Sequence, residues 1–151
     1  MIHQIHFTQF LPANPETVWD FFATPDNLNL LTPPELQFET LTAPKRMYAG
    51  QMIAYRIRVL PGIRVRWLTE ITHVSERDYF VDEQRLGPYQ LWHHEHGFVA
   101  KSGGVEMTDH VTYSLAFGPV GELVHQLWVR RTLARIFAFR REKIAAHFAA
   151  P

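Results

Sequence analysis

The middle of the chain, from residue 35 to residue 117, alternates apolar and polar side chains with a period of two, the pattern of half-buried strands. Turn signals interrupt the alternation at Ala49-Gly50, Pro61-Gly62, Arg77-Asp78, Gly87-Pro88 and Ser102-Gly103-Gly104. Six strands fit between and around these turns. Because the connections are short, neighbouring strands must be antiparallel, since a parallel pair needs a crossover of a dozen or more residues. The pattern therefore predicts an antiparallel meander.

The flanking segments add one strand and several helices. Residues 1–10 alternate like a strand, and the start signals Asn14-Pro15-Glu16 and Thr24-Pro25-Asp26 each predict a short helix. Residues 118–148 predict one long helix whose apolar positions drift around its axis, so we expect either a bend near residues 129–132 or burial on more than one side. The predicted fold class is α+β, with the first strand closing the meander.

Composition limits the chemistry that this chain can perform. Its 151 residues are enough for one domain, which we expect to span residues 1–151. The absence of Cys excludes thiol catalysis and thiolate metal sites, and 15 basic against 15 acidic residues give no net charge for nucleic acid. Lacking a signal peptide and any long apolar run, the chain is expected in the cytoplasm, without a membrane span. We also predict no cofactor, and a homodimer is compatible with the sequence.

Strand alternation assigns several of the nine His to a face of the sheet. In the last strand Asp109 lies in an otherwise apolar row with Met107 and Val111. In the preceding strand His94 and His96 share a face with large aromatic residues, which predicts that both point inward, whereas His93 and His110 point outward. One strand earlier, the Asp82 row and the opposite row are equally polar, so alternation alone leaves that face open.

These residues resemble the signature of small bacterial SRPBCC proteins, in the superfamily that joins START lipid-transfer domains, the birch-pollen allergen fold and polyketide cyclases. The residues that carry the resemblance are Phe80, Asp82, Gln84, Gly87, Pro88, Tyr89, Trp92, His94, His96, Phe98, Thr108, Asp109, Val111 and Tyr113. The resemblance implies a helix-grip fold, in which a curved seven-stranded antiparallel sheet wraps a long C-terminal helix around a cavity. It also implies that Asp82 and Gln84 face the cavity. It implies no particular reaction.

The first functional interpretation is the binding of a small, largely apolar or aromatic molecule, lipid-like or polyketide-like, in that cavity. Aromatic walls with a few placed polar groups are typical of such pockets. The predicted ligand-binding residues are Tyr55, Trp67, Asp82, Gln84, Trp92, His94, His96, Phe98, Met107, Asp109 and Tyr113. The alternative is that these polar groups only satisfy one another in a filled core.

A second interpretation is an acid/base enzyme of the cyclase or dehydratase type. His94 or His96 would exchange the proton, and Asp109 or Asp82 would orient the imidazole. No Cys and no Gly-x-Ser-x-Gly motif supplies a nucleophile, so only acid/base chemistry remains.

Two further interpretations are weaker. His94 and His96 with a cross-strand Asp resemble a two-His, one-carboxylate metal set, but hydrogen-bonded His pairs have the same spacing, and we predict no metal. Some proteins of the resembling subgroup are labelled cell-division inhibitors, which would make this chain an interaction protein. The basic end of the long helix is expected to be a solvated face; it comprises Arg130, Arg131, Arg135, Arg140 and Arg141.

Overall fold

A computed structural model describes residues 1–42, 46–60 and 62–149. Its strands are β1 (Ile2–Leu11), β2 (Glu39–Thr42), β3 (Gln51–Leu60), β4 (Ile63–Ser75), β5 (Tyr79–Leu86), β6 (Leu91–Lys101) and β7 (Gly104–Ser114). Its helices are α1 (Pro15–Phe22), short 3₁₀ turns at Pro25–Asn29 and Pro34–Leu36, α2 (Gly118–Val124), a π-helical segment (His125–Val129) and α3 (Arg130–His147). The predicted α+β architecture is confirmed.

The seven strands form one antiparallel sheet in the order β1-β7-β6-β5-β4-β3-β2. This is the predicted meander, closed by the first strand. The tight hairpin between β6 and β7 pairs Lys101 with Gly104, and Gly103 takes a φ of +80°, which favours glycine. Of the predicted turns, Pro61 lies outside the described residues.

Local signals explain how the helices begin. The side chain of Asn14 accepts a hydrogen bond from the backbone N–H of Glu16 at 2.8 Å, and Pro15 occupies the first turn of α1. Val18, Trp19, Phe21 and Phe22 of α1 are buried. This helix therefore docks by its apolar face.

The C-terminal helix is continuous from α2 through the π-helical segment to α3. Its fully buried positions from the π segment onward form one stripe, which comprises His125, Val129, Leu133, Phe137, Arg140 and Ile144. The departure from regular α-helix falls at residues 125–129, directly before the predicted bend. The drift in the apolar pattern thus has a local cause, because a π turn shifts the helix face that follows it.

Candidate functional site

Strand register brings two His and two Asp together on the inner face of the sheet. In the β5–β6 pair Asp82 lies opposite His94, and in the β6–β7 pair Asp109 lies opposite His96. Side chains directly opposite and diagonally offset are both within reach of long residues. Each His therefore meets both carboxylates.

The distances show how closely the four side chains interact. Asp109 Oδ1 lies 2.9 Å from His94 Nε2 and 2.9 Å from His96 Nδ1. Asp82 Oδ2 lies 2.9 Å from His96 Nε2 and 3.4 Å from His94 Nδ1. All four imidazole nitrogens thus face a carboxylate oxygen, and the two rings lie 3.7 Å apart between centroids.

A fifth member comes from α3. Arg140 Nη2 lies 3.5 Å from Asp109 Oδ1 and 3.3 Å from His96 Nδ1, and its residue is only 7% exposed. The expectation that the whole basic end of the helix is solvated is therefore wrong for Arg140, which belongs to the buried stripe of α3. We call Asp82, His94, His96, Asp109 and Arg140 the His-Asp-Arg cluster.

The two His have pKa values displaced in opposite directions from the ordinary 6.5. Burial, followed by the neighbouring charge of His96, lowers the pKa of His94. Burial also disfavours charge on His96, but its hydrogen bonds to Asp109 and Asp82 outweigh that effect and raise its pKa. At pH 6.5 His96 is therefore mainly cationic and His94 mainly neutral.

The carboxylates of the cluster stay ionised. Burial by itself would raise the pKa of Asp109, but the positive charge of Arg140 and the hydrogen bonds of His94 and His96 hold it well below its usual range. The pKa of Asp82 is also lowered, because its electrostatic interaction with the His94 ring and the hydrogen bond of His96 outweigh burial. Two negative and two positive charges thus balance, which is what a buried cluster requires.

A cavity of about 380 Å³ lies between the sheet, the short helices and the C-terminal helix. Its wall is mostly apolar and aromatic, and the His-Asp-Arg cluster contributes Asp82, His94, His96 and Arg140 to it. Six of the predicted ligand-binding residues line the cavity, namely Tyr55, Trp67, Asp82, Trp92, His94 and His96. Burial raises the pKa of Tyr55, so this wall residue remains an uncharged hydrogen-bonding group.

The other predicted residues do not line this cavity. Phe98 and Met107 are buried in the apolar core, and Asp109 lies behind the two His. Tyr113 is hydrogen-bonded to His125 at 2.9 Å. The side-chain amide of Gln84 is hydrogen-bonded to both the backbone N–H and the carbonyl of Tyr89, and Tyr89 does line the cavity.

The cavity end of the cluster also has a metal-like spacing. One ligand atom from each of Asp82, His94 and His96 lies within 4.8 Å of the others. However, the Arg140 cation lies 3.3 Å from His96 and already balances the carboxylates. Electrostatic repulsion from Arg140 therefore opposes a second cation at this position.

Sequence reasoning missed the helical half of the cavity. Leu133, Ile136, Phe137 and Arg140 all line it. A signal was present, because Leu133, Phe137, Arg140 and Ile144 recur at steps of four, three and four residues, which places Arg140 on the apolar face of the helix. A charged residue within such a stripe indicates a buried partner.

No protein-family model matches the chain, and no curated protein does. Solved structures are similar to it over nearly the whole length. CV1439 from Chromobacterium violaceum has a TM-score of 0.70 at 15% identity, covering 98% of each chain. Ara h 8.0201 has a TM-score of 0.64 at 17% identity, covering 97% of this chain and 99% of that one. The ginseng major latex-like protein 151 from Panax ginseng has a TM-score of 0.63 at 11% identity, covering 99% of each chain.

These likenesses and the observed topology define the fold. The chain has a helix-grip fold, as the sequence resemblance predicted, and shares it with Ara h 8.0201 and the ginseng major latex-like protein. Within the described ranges, none of the helices is both long and apolar enough to cross a membrane.

Proposed function

We propose that this protein binds a small, largely apolar or aromatic molecule in the 380 Å³ cavity, with the polar end of the ligand at the His-Asp-Arg cluster. The observation that carries the proposal is the union of an apolar cavity with a charge-balanced polar cluster at its wall. Ligand pockets have this composition, with volumes of roughly 300–1,000 Å³. A lipid-like or polyketide-like molecule fits it.

The apolar wall and the His-Asp-Arg cluster would contribute differently to ligand binding. The apolar part supplies affinity, because each Å² of apolar surface removed from water contributes about 25 cal/mol. The cluster supplies orientation, because Asp109 and Asp82 already hold His94 and His96 by hydrogen bonds, and Arg140 lies against Asp109. A preordered polar end loses little entropy when the ligand binds.

The test fills the cavity from the helix side. Ile136 lines the cavity and is half-buried, whereas Ala138 is exposed on the same helix, so Ile136→Trp and Ala138→Trp form a matched pair. With the neutral fluorescent probe N-phenyl-1-naphthylamine, we expect Ile136→Trp to weaken binding at least tenfold and Ala138→Trp to leave it unchanged. Equal binding by both variants would contradict a cavity site.

A second candidate function is acid/base catalysis of the cyclase or dehydratase type. It is favoured by one observation, the opposite pKa displacements of two cavity-lining His, which is how sites separate an acid from a base. His96 would then donate a proton and His94 would accept one. A dehydration assay on β-hydroxyacyl thioesters would show loss of turnover in His94→Gln but not in His93→Gln, whose ring lies on the other face against Glu83.

A further inference from the structure

A second polar cluster lies away from the cavity, where the start of β1 meets the C-terminal helix. It consists of His3, Glu122 and His125, which we call the His-Glu-His triad. The rings of His3 and His125 are stacked with centroids 3.5 Å apart and planes inclined by 14°. The triad joins His3 to two residues that lie 119 or more positions later in the chain.

We propose that the His-Glu-His triad is a binding site for a zinc-like transition-metal dication. This site is independent of the cavity and of the function proposed for it. The three residues are two imidazoles and one carboxylate, the ligand types that Zn²⁺ takes in sites that keep an open fourth position.

The ligand atoms have the separation that a metal ion requires. His3 Nε2 lies 3.1 Å from Glu122 Oε2, and His125 Nδ1 lies 3.8 Å from Glu122 Oε1. One ligand atom from each residue lies within 4.8 Å of the other two. With Zn–N and Zn–O distances of about 2.0–2.2 Å, tetrahedral ligands lie roughly 3.3 Å apart, which is close to the carboxylate–imidazole separations. The two stacked rings would tilt apart on binding, so that both lone pairs point at one ion.

One buried nitrogen atom of His125 supports a metal ligand role for this residue. His125 is 6% exposed, and its Nδ1 has no hydrogen-bond partner in the described part of the chain. Buried polar atoms are normally satisfied, so this nitrogen needs an explanation. A metal ion bound at Nδ1 provides one.

The surroundings of the triad orient its ligand atoms. His125 Nε2 lies 2.9 Å from the hydroxyl of Tyr113, and an N–H at Nε2 that donates to this oxygen leaves the Nδ1 lone pair free for a metal. Gln126 donates to Glu122 Oε1 at 3.2 Å. Metal-ligating His and carboxylates characteristically have such outer partners.

Backbone geometry supports the same assignment. Glu122 and His125 are three residues apart, which places both side chains on one face of the helix. His125 also begins the π-helical segment. Such segments are rare and occur frequently at functional sites. No Arg or Lys is hydrogen-bonded to these three residues in the described ranges, although burial lowers the pKa of His125 and the charges of Arg130 and of the N-terminal amine reach it and help to lower that pKa.

The experiment uses the full chain without an affinity tag, stripped with EDTA and titrated with Zn²⁺ by calorimetry and with Co²⁺ by visible absorption. We expect one ion per chain. His3→Gln, Glu122→Gln and His125→Gln should each weaken Zn²⁺ binding more than 100-fold, whereas His73→Gln, at an exposed His outside both clusters, should leave it unchanged. Circular dichroism checks folding, and Glu122→Gln, which keeps the side-chain shape at the most exposed of the three residues, is the variant least disturbing to the core.

Tyr113→Phe separates a metal site from a hydrogen-bonded stack. Tyr113 is not a ligand in the proposal, yet loss of an outer partner typically weakens metal binding by about 10–100-fold. A larger loss of Zn²⁺ binding in the three triad variants than in Tyr113→Phe, with a measurable loss in Tyr113→Phe, supports the site. The proposal is overturned if the stripped protein takes up no ion, if the three triad variants bind Zn²⁺ as the parent does, or if His96→Gln alone abolishes binding.

Discussion

Arg140→Met tests whether charge balance holds the His-Asp-Arg cluster together. The substitution keeps most of the side-chain length on the buried stripe of α3 but removes one of the two positive charges that face Asp82 and Asp109. Removing one partner of a buried ion pair typically costs about 3–5 kcal/mol, because it leaves an uncompensated charge. The folded variant can restore the balance by one route, namely binding one more proton on the His pair.

That route makes the loss of stability depend on pH. Stability that arises from a raised His pKa is present below the unfolded value of 6.5 and is lost as the pH rises above it. While the His94–His96 pair of the variant holds one proton more than that of the wild type, the variant's free energy of unfolding falls further below the wild-type value by about 1.4 kcal/mol per pH unit. From pH 6.5 to pH 8 this amounts to about 2 kcal/mol. We therefore expect the free energy of unfolding of Arg140→Met to lie below that of the wild type by about 3–5 kcal/mol at pH 8 and by about 1–3 kcal/mol at pH 6.

Urea denaturation followed by tryptophan fluorescence at pH 6, 7 and 8 measures these free energies of unfolding. Arg141→Met is the matched control, because Arg141 is the next residue of the same helix and is exposed. We expect the control to lie within about 0.5 kcal/mol of wild type at every pH. A deficit for Arg140→Met that is constant from pH 6 to pH 8 would refute the charge-balance argument, even if the variant is destabilised.

Three further predictions concern single groups. At pH 6.5, ring ¹⁵N shifts should show His96 more than half cationic and His94 more than half neutral, and the reverse order would contradict the assignment of their pKa directions. Gly121→Ala should lower the free energy of unfolding by about 1–3 kcal/mol in chemical denaturation, because its Cβ would clash with the carbonyl oxygen of Ala116; an unchanged midpoint would show that this contact relaxes freely. Phe137→Ala should cost about 3–5 kcal/mol by the same assay, since the ring is 5% exposed, and a cost below 1 kcal/mol would mean that the cavity collapses around the gap.

The sheet half of the site could be predicted because strand geometry is local. His94, His96 and Asp109 share their rows with large apolar residues, and a period of two leaves only two faces to choose from. All three are buried in the structure, as predicted. Register then decides which side chains meet, and the short hairpin at Gly103 fixes the register between β6 and β7.

Asp82 shows where local reasoning fails. Both rows of β5 are similarly polar, so the choice of face depended on the resemblance to SRPBCC proteins. The structure explains the ambiguity, because Glu83 on the opposite row is itself engaged with His93 at 2.9 Å and with Arg85 at 3.1 Å. Both faces of this strand carry charge pairs, and alternation of hydrophobicity cannot distinguish them.

The contacts of the C-terminal helix are long-range and could not be predicted by periodicity alone. Spacing places Arg140 on the buried stripe, but only the packing of α3 across β6 and β7 shows that its partners are His96 and Asp109. The stacking of His3 on His125 is even less predictable from periodicity, because it joins the first strand to the C-terminal helix. Such pairs depend on the complete fold.

The charge balance of the His-Asp-Arg cluster limits which ligands the cavity favours. A neutral polar group beside His94 leaves two positive and two negative charges in balance. A carboxylate placed there adds a third negative charge in a site removed from water, which is costly unless a proton enters with it. His94, whose pKa is lowered, is the group in the cluster that can accept this proton. The cavity should therefore favour neutral ligands over permanent anions, and should bind weak acids with uptake of a proton.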